Sequence, residues 1–309
     1  MIKKPNELNF DAEKFNVLLA GFPGIGKTTL ACSAPKPLVL DLDKGISRVN
    51  AKFRQDIADV ETYEELLNDL ETADLSEYET IVIDTGARLL DLMKSWAIRK
   101  EPKNGQTDGN LTLKGYGVVG KEFMQFVNNI KYKYHKHCVV IFHAKEEKDG
   151  DLTKLRITIE GQSKDAVWQP MDLGGFMEII GKDHTIGFTN CERYFAKGSH
   201  GIKGIYTIPN PEETGENNFL LKLFEKMTEQ LKQESAEANE QKSEYEKVMN
   251  SIKPKIDSMT ENNILEIQEL IKNAKQVATS EKELKNAFKN KLDELGMKYD
   301  AQTKKYIKK

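Results

Sequence analysis

A glycine-rich segment near the start of the chain has the residue types and spacing of a phosphate-binding loop. The octapeptide GFPGIGKT matches the pattern G-x-x-x-x-G-K-[ST] without a gap. Glycines permit a tight turn whose backbone N–H groups point at phosphates, the lysine supplies a positive charge, and the threonine hydroxyl is a Mg²⁺ ligand. We therefore predict that ATP and Mg²⁺ bind here, with contacts from Gly21, Phe22, Pro23, Gly24, Ile25, Gly26, Lys27, Thr28 and Thr29.

The alternative interpretation is a glycine-rich turn that matches the pattern by chance. An apolar run, FNVLLA at 15–20, leads into the motif, and a helix-compatible segment at 28–33 follows it. This strand–loop–helix context favours the phosphate loop. The motif predicts the ligand and leaves open what its binding accomplishes.

A second carboxylate is needed to hold the magnesium ion through water, and Asp84 is the candidate. It ends the apolar run TIVID at 80–84, and an aspartate in that place is the second part of a phosphate-loop site. The alternative is a solvent-facing aspartate that caps the following helix. We predict Thr28 and Asp84 as the metal residues.

The residue that activates water is less clear from the pattern, because Asp84 is followed by Thr85 and not by glutamate. Asp41 and Asp43 end the second apolar run, in VLDLDKG. If that strand lies near the phosphate-loop strand, Asp43 faces the terminal phosphate as a general base. The alternative is a hydrated turn around Lys44.

His143 ends the fourth apolar run, CVVIFH at 138–143, where a polar residue can sense the terminal phosphate. The alternative is a purely structural histidine. The charged run at 145–151 then predicts a solvated, mobile loop.

Apolar runs alternate with amphipathic stretches over the first two-thirds of the chain. The predicted strands are 15–20, 37–42, 80–84 and 138–143, and the predicted helices are 28–33, 63–70, 87–99 and 116–134. Strands that are apolar on both faces and separated by helices indicate a parallel sheet covered on both sides. Shorter strands at 155–160, 176–180, 184–190 and 204–208 extend it in a mixed or antiparallel way. The predicted fold class is therefore α/β.

The rest of the chain has the pattern of a small helical unit. We divide the protein into a core at 1–232, a polar linker or helix at 233–250 and a C-terminal helical hairpin at 251–309. Within the hairpin, Ser258 with Glu261 and Ser280 with Glu283 fit capping boxes, and Gly296 fits a helix C-cap. The last nine residues are basic, and we expect them to be frayed.

Composition narrows the functional classes. The 309 residues carry a formal net charge of -3, so a contact with nucleic acid must come from a local basic patch. The three cysteines form no CxxC pair, and we expect reduced thiols. The N-terminus lacks the apolar stretch of a secretory signal, and no apolar run approaches the length of a membrane span. We expect a cytoplasmic protein.

With these features in place, the chain resembles the RecA-like ATPases of bacteriophages, in particular the annealing and recombination proteins of the Sak type. The resemblance covers about residues 14–210 and implies a RecA-like P-loop NTPase core with a mostly parallel sheet. It rests on the stretches GFPGIGKTTL, LVLDLDKGISRV, TIVIDTGARLLDLM, VVIFHAKEEKDGD and RYFAKGSHGIKGIYTIP. Such proteins form rings or filaments on single-stranded DNA and promote annealing or strand exchange. For a phage-encoded protein the expected location is the host cytoplasm.

The resemblance also implies roles for single residues. In RecA, the strand next to the phosphate loop ends in Asp-x-Glu, whose glutamate activates water. The matching residue here is Asp43, which is shorter. RecA has glutamine at the place of His143 and presents lysines from a late strand to ATP on a neighbouring subunit. Lys197 is the corresponding candidate in trans, with Lys203 as a substitute, so the catalytic candidates are Lys27, Asp43, His143 and Lys197.

Two segments are candidates to face DNA in such an assembly. One is the glycine-rich run at 103–115, and the other is the region 160–175 with Lys164 and Trp168. A stacking aromatic beside a lysine suits single-strand binding, whereas the alternative for Trp168 is core packing. The C-terminal unit is a candidate to bind a partner such as a single-strand DNA-binding protein, or a neighbouring subunit.

Two other classes of function stay open. A helicase loader would be expected to carry Asp-Glu at 84–85, and a nucleotide kinase an arginine-rich lid. The only arginines after Arg99 are Arg156 and Arg193, which disfavours both. A non-hydrolysing nucleotide switch that binds a protein through the helical tail is the third candidate.

Overall fold

The computed structural model describes residue 10 and residues 13–150, 152–159, 163–300, 303 and 305–308. The chain divides into two compact units. The first is Phe10–Gln230 and contains the sheet and the phosphate loop. The second is built mainly from Leu231–Lys309.

A nine-stranded sheet forms the first unit. Six of its strands are parallel: β1 (Asn16–Gly21), β2 (Pro37–Asp41), β3 (Asp56–Ala58), β4 (Thr80–Asp84), β5 (His137–Asp149) and β7 (Leu173–Ile180). Their order across the sheet is β3-β2-β4-β5-β1-β7. Strands β1, β2 and β4 are buried along their whole length, which explains their continuous apolar sequences. The predicted α/β class with a mostly parallel sheet is confirmed.

Helices cover the faces of this sheet. They are α1 (Lys27–Ala31), α2 (Tyr63–Thr72), α3 (Gly86–Lys100), α4 (Leu113–Tyr132) and α5 (Ser163–Trp168). Each buries a stripe of apolar residues, and the largest common core includes Tyr63, Met93, Phe123 and Phe142. Helix α2 begins at a capping box made by Thr62 and Glu65. Helix α5 and strand β3 are too short to give a periodic signal, and the sequence did not predict them.

Three antiparallel strands complete the sheet: β6 (Leu152–Ile157), β8 (Asp183–Gly187) and β9 (Ile205–Thr207). The mobile loop predicted at 145–151 is wrong for the residues that the structure describes. Strand β5 continues to Asp149 and pairs with β6, with Glu147 opposite Lys154. The residues from Lys145 to Asp149 are exposed, so no apolar alternation marks the strand.

The end of the core leads through α6 (Pro211–Thr214) into α7 (Phe219–Asp257), a helix of 39 residues. The polar stretch at 233–250 is therefore helical and not an irregular linker. No glycine interrupts α7, and its one proline, Pro254, lies close to its end. Helix propensity sustains a helix that is polar around most of its surface. Among the described residues, no helix has the length and apolar character needed to cross a membrane.

The second unit continues with α8 (Ile264–Lys272), α9 (Ser280–Glu294) and an antiparallel pair of strands, β10 (Met297–Asp300) and β11 (Lys305–Lys308). The strand pair replaces the frayed tail expected from the basic sequence. Its apolar core includes Ile252, Ile256, Ile264, Ile267, Leu284, Phe288 and Met297.

Both predicted capping boxes in this unit are wrong. Asp257 is the last residue of α7 and α8 begins after Asn263, so Ser258 lies between two helices. Helix α9 begins after Thr279, and the Ser280 hydroxyl accepts a hydrogen bond from Val277 N (3.0 Å) instead of capping the helix. Gly296 directly follows Leu295, the C-cap residue of α9, and has a φ of 65°, as predicted for a helix end.

Candidate nucleotide-binding site

The phosphate loop connects the buried end of β1 to the start of α1. Gly24 and Gly26 have φ angles of 80° and 92°, a left-handed conformation that glycine adopts without steric cost. At Gly21 a Cβ atom would lie 3.0 Å from a methyl group of Ile25 and 3.1 Å from Met177 Cβ. Turn conformation therefore requires glycine at Gly24 and Gly26, and close packing requires it at Gly21.

Lys27 is held inside the loop by backbone carbonyls. Its Nζ donates hydrogen bonds to Gly21 O (3.0 Å) and Phe22 O (2.7 Å), and the residue is 5% exposed. Burial lowers the pKa of this ammonium to about 8, against the opposing attraction of Asp84 and Asp43. A buried cation at the mouth of a phosphate loop fits an anionic ligand, because phosphate oxygens would compensate the lost hydration better than carbonyls do.

Thr28 and Asp84 lie together, as the sequence predicted. The Thr28 hydroxyl donates to Asp84 Oδ2 at 2.7 Å. Burial raises the pKa of Asp84, the Thr28 hydrogen bond and Lys27 oppose the shift, and nearby Asp41 and Asp43 add to it. A hydroxyl and a carboxylate at this spacing are oxygen ligands of the kind that Mg²⁺ prefers.

The alternative role of Asp84 as a helix cap is wrong. The N-cap of α3 is Thr85, whose hydroxyl accepts a hydrogen bond from Arg88 N at 3.4 Å. Thr85 therefore has a structural function at the position after Asp84, where a water-activating glutamate was considered. Asp84 is left free to face Thr28.

The two aspartates at the end of β2 have different environments. Strand β2 is separated from β1 by β4 and β5, so it is not the neighbour of the phosphate-loop strand. Asp41 is buried and accepts hydrogen bonds from Gly45 N (2.7 Å) and Ile46 N (3.2 Å), which makes it a turn-forming residue. Asp43 reaches the site because its N–H donates to Asp84 O (3.0 Å), across the end of β4.

The negative charge of the Asp43 carboxylate influences the ionisable groups of the phosphate site. Its charge acts on the pKa of Lys27, Asp84 and His143. Its side chain is 32% exposed, and within the described part of the chain its one ion pair is with Arg48, at 3.8 Å. The structure therefore brings Asp43 to the phosphate loop by a turn after β2, not by strand adjacency.

His143 lies opposite Gly21 in the pairing of β5 with β1. Burial lowers the pKa of its imidazole, with a further contribution from Lys27, against the opposing effect of Asp43. Its Nδ1 atom is buried and has no hydrogen-bond partner among the described residues. A neutral imidazole with an unsatisfied nitrogen at this edge has the chemistry to contact a ligand or its water.

Comparison with known proteins agrees with this geometry. A family model described as an AAA domain matches residues 13–200, more than half of the chain. The chain belongs to the AAA domain family. A search of the curated proteins finds no match.

The AAA domain is an ATPase domain of the P-loop type, and its match begins just before β1 and ends after Lys197. Nucleotide binding follows from this membership, typically with Mg²⁺. The matched segment contains Lys27, Thr28, Asp43, Asp84 and His143, which are the predicted residues that the structure brings to the phosphate loop.

A cavity of about 260 Å³ next to the loop was missed by the sequence analysis. Gly26 and Thr29 form one wall, and the others come from segments distant in sequence, with Arg48, Phe53, His184 and Asn210 among the lining residues. Asn217 Nδ2 donates to Thr29 O (2.8 Å) and ties one of these segments to α1. Residues of the run PNPEETGENN at 209–218 therefore form one side of this cavity.

The other predicted residues lie away from this site within the same chain. Lys197 forms a two-way backbone bridge with Gly174 near the start of β7, and its Nζ donates to Met171 O. Trp168 stacks near Phe176 and contacts Phe195 edge-on, at a centroid distance of 4.8 Å. At Gly174 a Cβ atom would lie 2.3 Å from the Trp168 ring, which shows close packing.

In each of the two segments predicted to face DNA, or directly beside it, one residue forms a hydrogen bond with the core. In the first, Asn104 is buried and donates to Ala97 O (3.0 Å), while Lys103 and Lys114 are exposed. In the second, residues 160–162 and the side chain of Lys164 lie outside what the structure describes. Thr158, just before this segment, donates its N–H to His143 O at 2.7 Å.

Proposed function

We propose that this protein hydrolyses ATP with Mg²⁺ and acts in recombination on single-stranded DNA, as the Sak-type RecA-like phage proteins do. The observation that carries the proposal is the convergence of Lys27, Thr28, Asp84, Asp43 and His143 at the carboxyl ends of neighbouring strands. The site brings together an ammonium, two candidate ligands for a metal ion, a further carboxylate and a neutral imidazole. These are the groups that phosphoryl transfer to water requires.

Each residue has a separate task in this proposal. Lys27 binds the terminal phosphates, and Thr28 with Asp84 holds Mg²⁺, which neutralises charge on the phosphate oxygens. Asp43 accepts the proton of the attacking water, because it is the carboxylate of the site with the fewest fixed partners. His143 lies beside Gly21, and its imidazole, neutral at pH 7, is the group that senses the terminal phosphate.

The proposal includes a connection between the nucleotide site and the segment proposed to face DNA. The carbonyl of His143 accepts a hydrogen bond from Thr158, which lies just before the segment at 160–175. In this proposal, a shift of His143 on nucleotide binding would act on that segment, which contains Trp168, the contact of the exposed ring of Phe195. With a net charge of -3, the chain needs local cations for DNA, and the exposed Lys103 and Lys114 are candidates.

The proposal includes assembly into a ring or filament. Lys197 lies away from the phosphate loop of its own chain, so a role in hydrolysis would require a neighbouring subunit. Supplied in trans, its ammonium would stabilise the negative charge that develops on the phosphoryl group. Hydrolysis would then depend on assembly, as suits a protein that acts only on DNA. The second unit is the candidate surface for a single-strand DNA-binding protein.

The experiment is ATP turnover measured with and without single-stranded DNA, at low and moderate salt. Lys27→Ala serves as the inactive control, and duplex DNA of the same length serves as the matched nucleic acid. Stimulation by single strands alone, weakening with salt, is the expected result. Turnover independent of DNA would instead favour a P-loop enzyme such as a helicase loader or nucleotide kinase. Binding without turnover would favour a nucleotide switch that acts through the second unit.

A further inference from the structure

A second cation, Arg48, stands beside the acidic residues of the phosphate site. Its NH1 atom lies 3.8 Å from Asp43 Oδ2, and the residue lines the 260 Å³ cavity together with Gly26 and Thr29. Its charge also contributes to the lowered pKa of His143. One guanidinium is thus near the phosphate loop, the candidate base and the candidate sensor at once.

The backbone that carries Arg48 is held on both sides. The Asp41 carboxylate accepts two N–H groups at the start of its turn, at 2.7 and 3.2 Å. The Arg54 guanidinium donates to the carbonyl oxygens of the residues flanking Arg48, Ser47 and Val49, each at 2.8 Å. The Cα position of Arg48 is therefore fixed relative to the end of β2.

The guanidinium itself is free to move. The Arg48 side chain is 73% exposed, and its distance to Asp43 exceeds that of a hydrogen bond. An exposed pair of this kind contributes little to stability. Gly45 leaves room for the group, because a Cβ atom there would lie 3.3 Å from Arg48 NH1. A fixed backbone with a weakly held cation at its tip suits a contact that is exchanged when a ligand arrives.

We propose that Arg48 exchanges Asp43 for the terminal phosphate of a bound nucleoside triphosphate. The exchange distinguishes a triphosphate from a diphosphate and releases the Asp43 carboxylate to act on water. The planar guanidinium donates two parallel hydrogen bonds to a phosphate, and such pairs are stronger than an exposed contact with one carboxylate oxygen. The inference rests on the proposed nucleotide function and adds a residue that reads the third phosphate.

The test compares calorimetric affinities for Mg-ATP and Mg-ADP in the full-length protein. Arg48→Ala should weaken ATP binding about tenfold or more, the usual loss for a hydrogen bond to a charged group. Its ADP affinity should change less than about twofold. Arg48→Lys should recover part of the ATP affinity, because it restores the charge without the fork. Lys52→Ala removes the same charge from the same exposed loop outside the cavity lining and should leave both affinities unchanged.

Retained ADP binding by Arg48→Ala also shows that the variant is folded. Equal weakening of ATP and ADP would overturn the inference, because it would place Arg48 at the base, the ribose or the inner phosphates. Unchanged affinity for both nucleotides would overturn it as well. If the wild-type protein binds neither nucleotide, the proposed function itself fails. If the wild type binds and the ATP-to-ADP ratio does not respond to Arg48→Ala, the exchange alone is refuted.

Discussion

We predict that nucleotide binding at alkaline pH is accompanied by the uptake of a proton from solvent, and that Lys27 binds this proton. Its ammonium is buried, and burial lowers its pKa to about 8 in the free protein. The phosphates of a bound nucleotide favour the charged form and would return this pKa toward or above its ordinary value of 10.5. Binding therefore pulls a proton onto Lys27 wherever the free protein has lost it.

The size of the uptake follows from the two pKa values. With a free pKa of about 8, Lys27 is about nine-tenths protonated at pH 7, half at pH 8 and one-tenth at pH 9. Because the bound form stays charged over this range, the expected uptake is about 0.1, 0.5 and 0.9 protons per nucleotide. In the free protein, burial lowers the pKa of the His143 imidazole from its ordinary value of 6.5, so this group has already lost its proton over this pH range.

Titration calorimetry of Mg-ATP in buffers of different ionisation enthalpy measures this quantity directly. The slope of the observed heat against buffer enthalpy gives the number of protons taken up at each pH. Arg88→Ala, which removes a cation paired with Asp91 on α3, is a control that should not change the slope. An uptake that stays near zero from pH 7 to pH 9, or a proton release, would show that Lys27 is already charged at alkaline pH and refute the reasoning.

Three further predictions concern other residues. Asp43→Asn should keep ATP affinity and lower turnover by about 10²-fold or more, and a loss of affinity in the same titration would assign it to the metal or the fold instead. His137 is buried, accepts a hydrogen bond from Phe15 N (3.0 Å) and has its pKa lowered to about 3, so the unfolded chain binds the extra proton. Stability should therefore fall by about 2 kcal/mol from pH 7 to pH 5, and denaturant unfolding should show less of this loss in His137→Asn. Mixing Lys27→Ala with Lys197→Ala should restore some turnover if Lys197 acts in trans, whereas full activity of Lys197→Ala alone would exclude that role.

The parts of the site that the sequence predicted are those set by local patterns. The phosphate loop is contiguous, and its glycines are required by turn conformation at Gly24 and Gly26. Strand β4 begins and ends where the apolar run does, because it is buried over its whole length. Asp84 could be placed beside Thr28 because an aspartate at the end of a buried strand is the second part of the phosphate-loop pattern.

The parts that the sequence did not predict depend on contacts between distant segments. The cavity beside the phosphate loop combines residues near Gly26, Phe53, His184 and Asn210, and no local pattern marks such a set. Strand β5 continues past His143 as an exposed hairpin, where charged residues hide the two-residue period. The sequence also left open whether β2 lies near β1, because strand order is a property of the whole sheet.

The three aspartates at the edge of the sheet illustrate how structure separates residues that sequence treats alike. Asp41 holds two backbone N–H groups, so its negative charge is used to form the turn. Asp84 accepts a hydrogen bond from the Thr28 hydroxyl and is buried, and a divalent cation there would offset the repulsion from its acidic neighbours. Among the residues that the structure describes, the Asp43 carboxylate has one contact with a cation, the long one to Arg48. A general base must be able to exchange partners, so the least constrained carboxylate, Asp43, is the one best suited to accept a proton. The sequence alone does not distinguish it from the turn residue Asp41, because both lie at the end of the same apolar run.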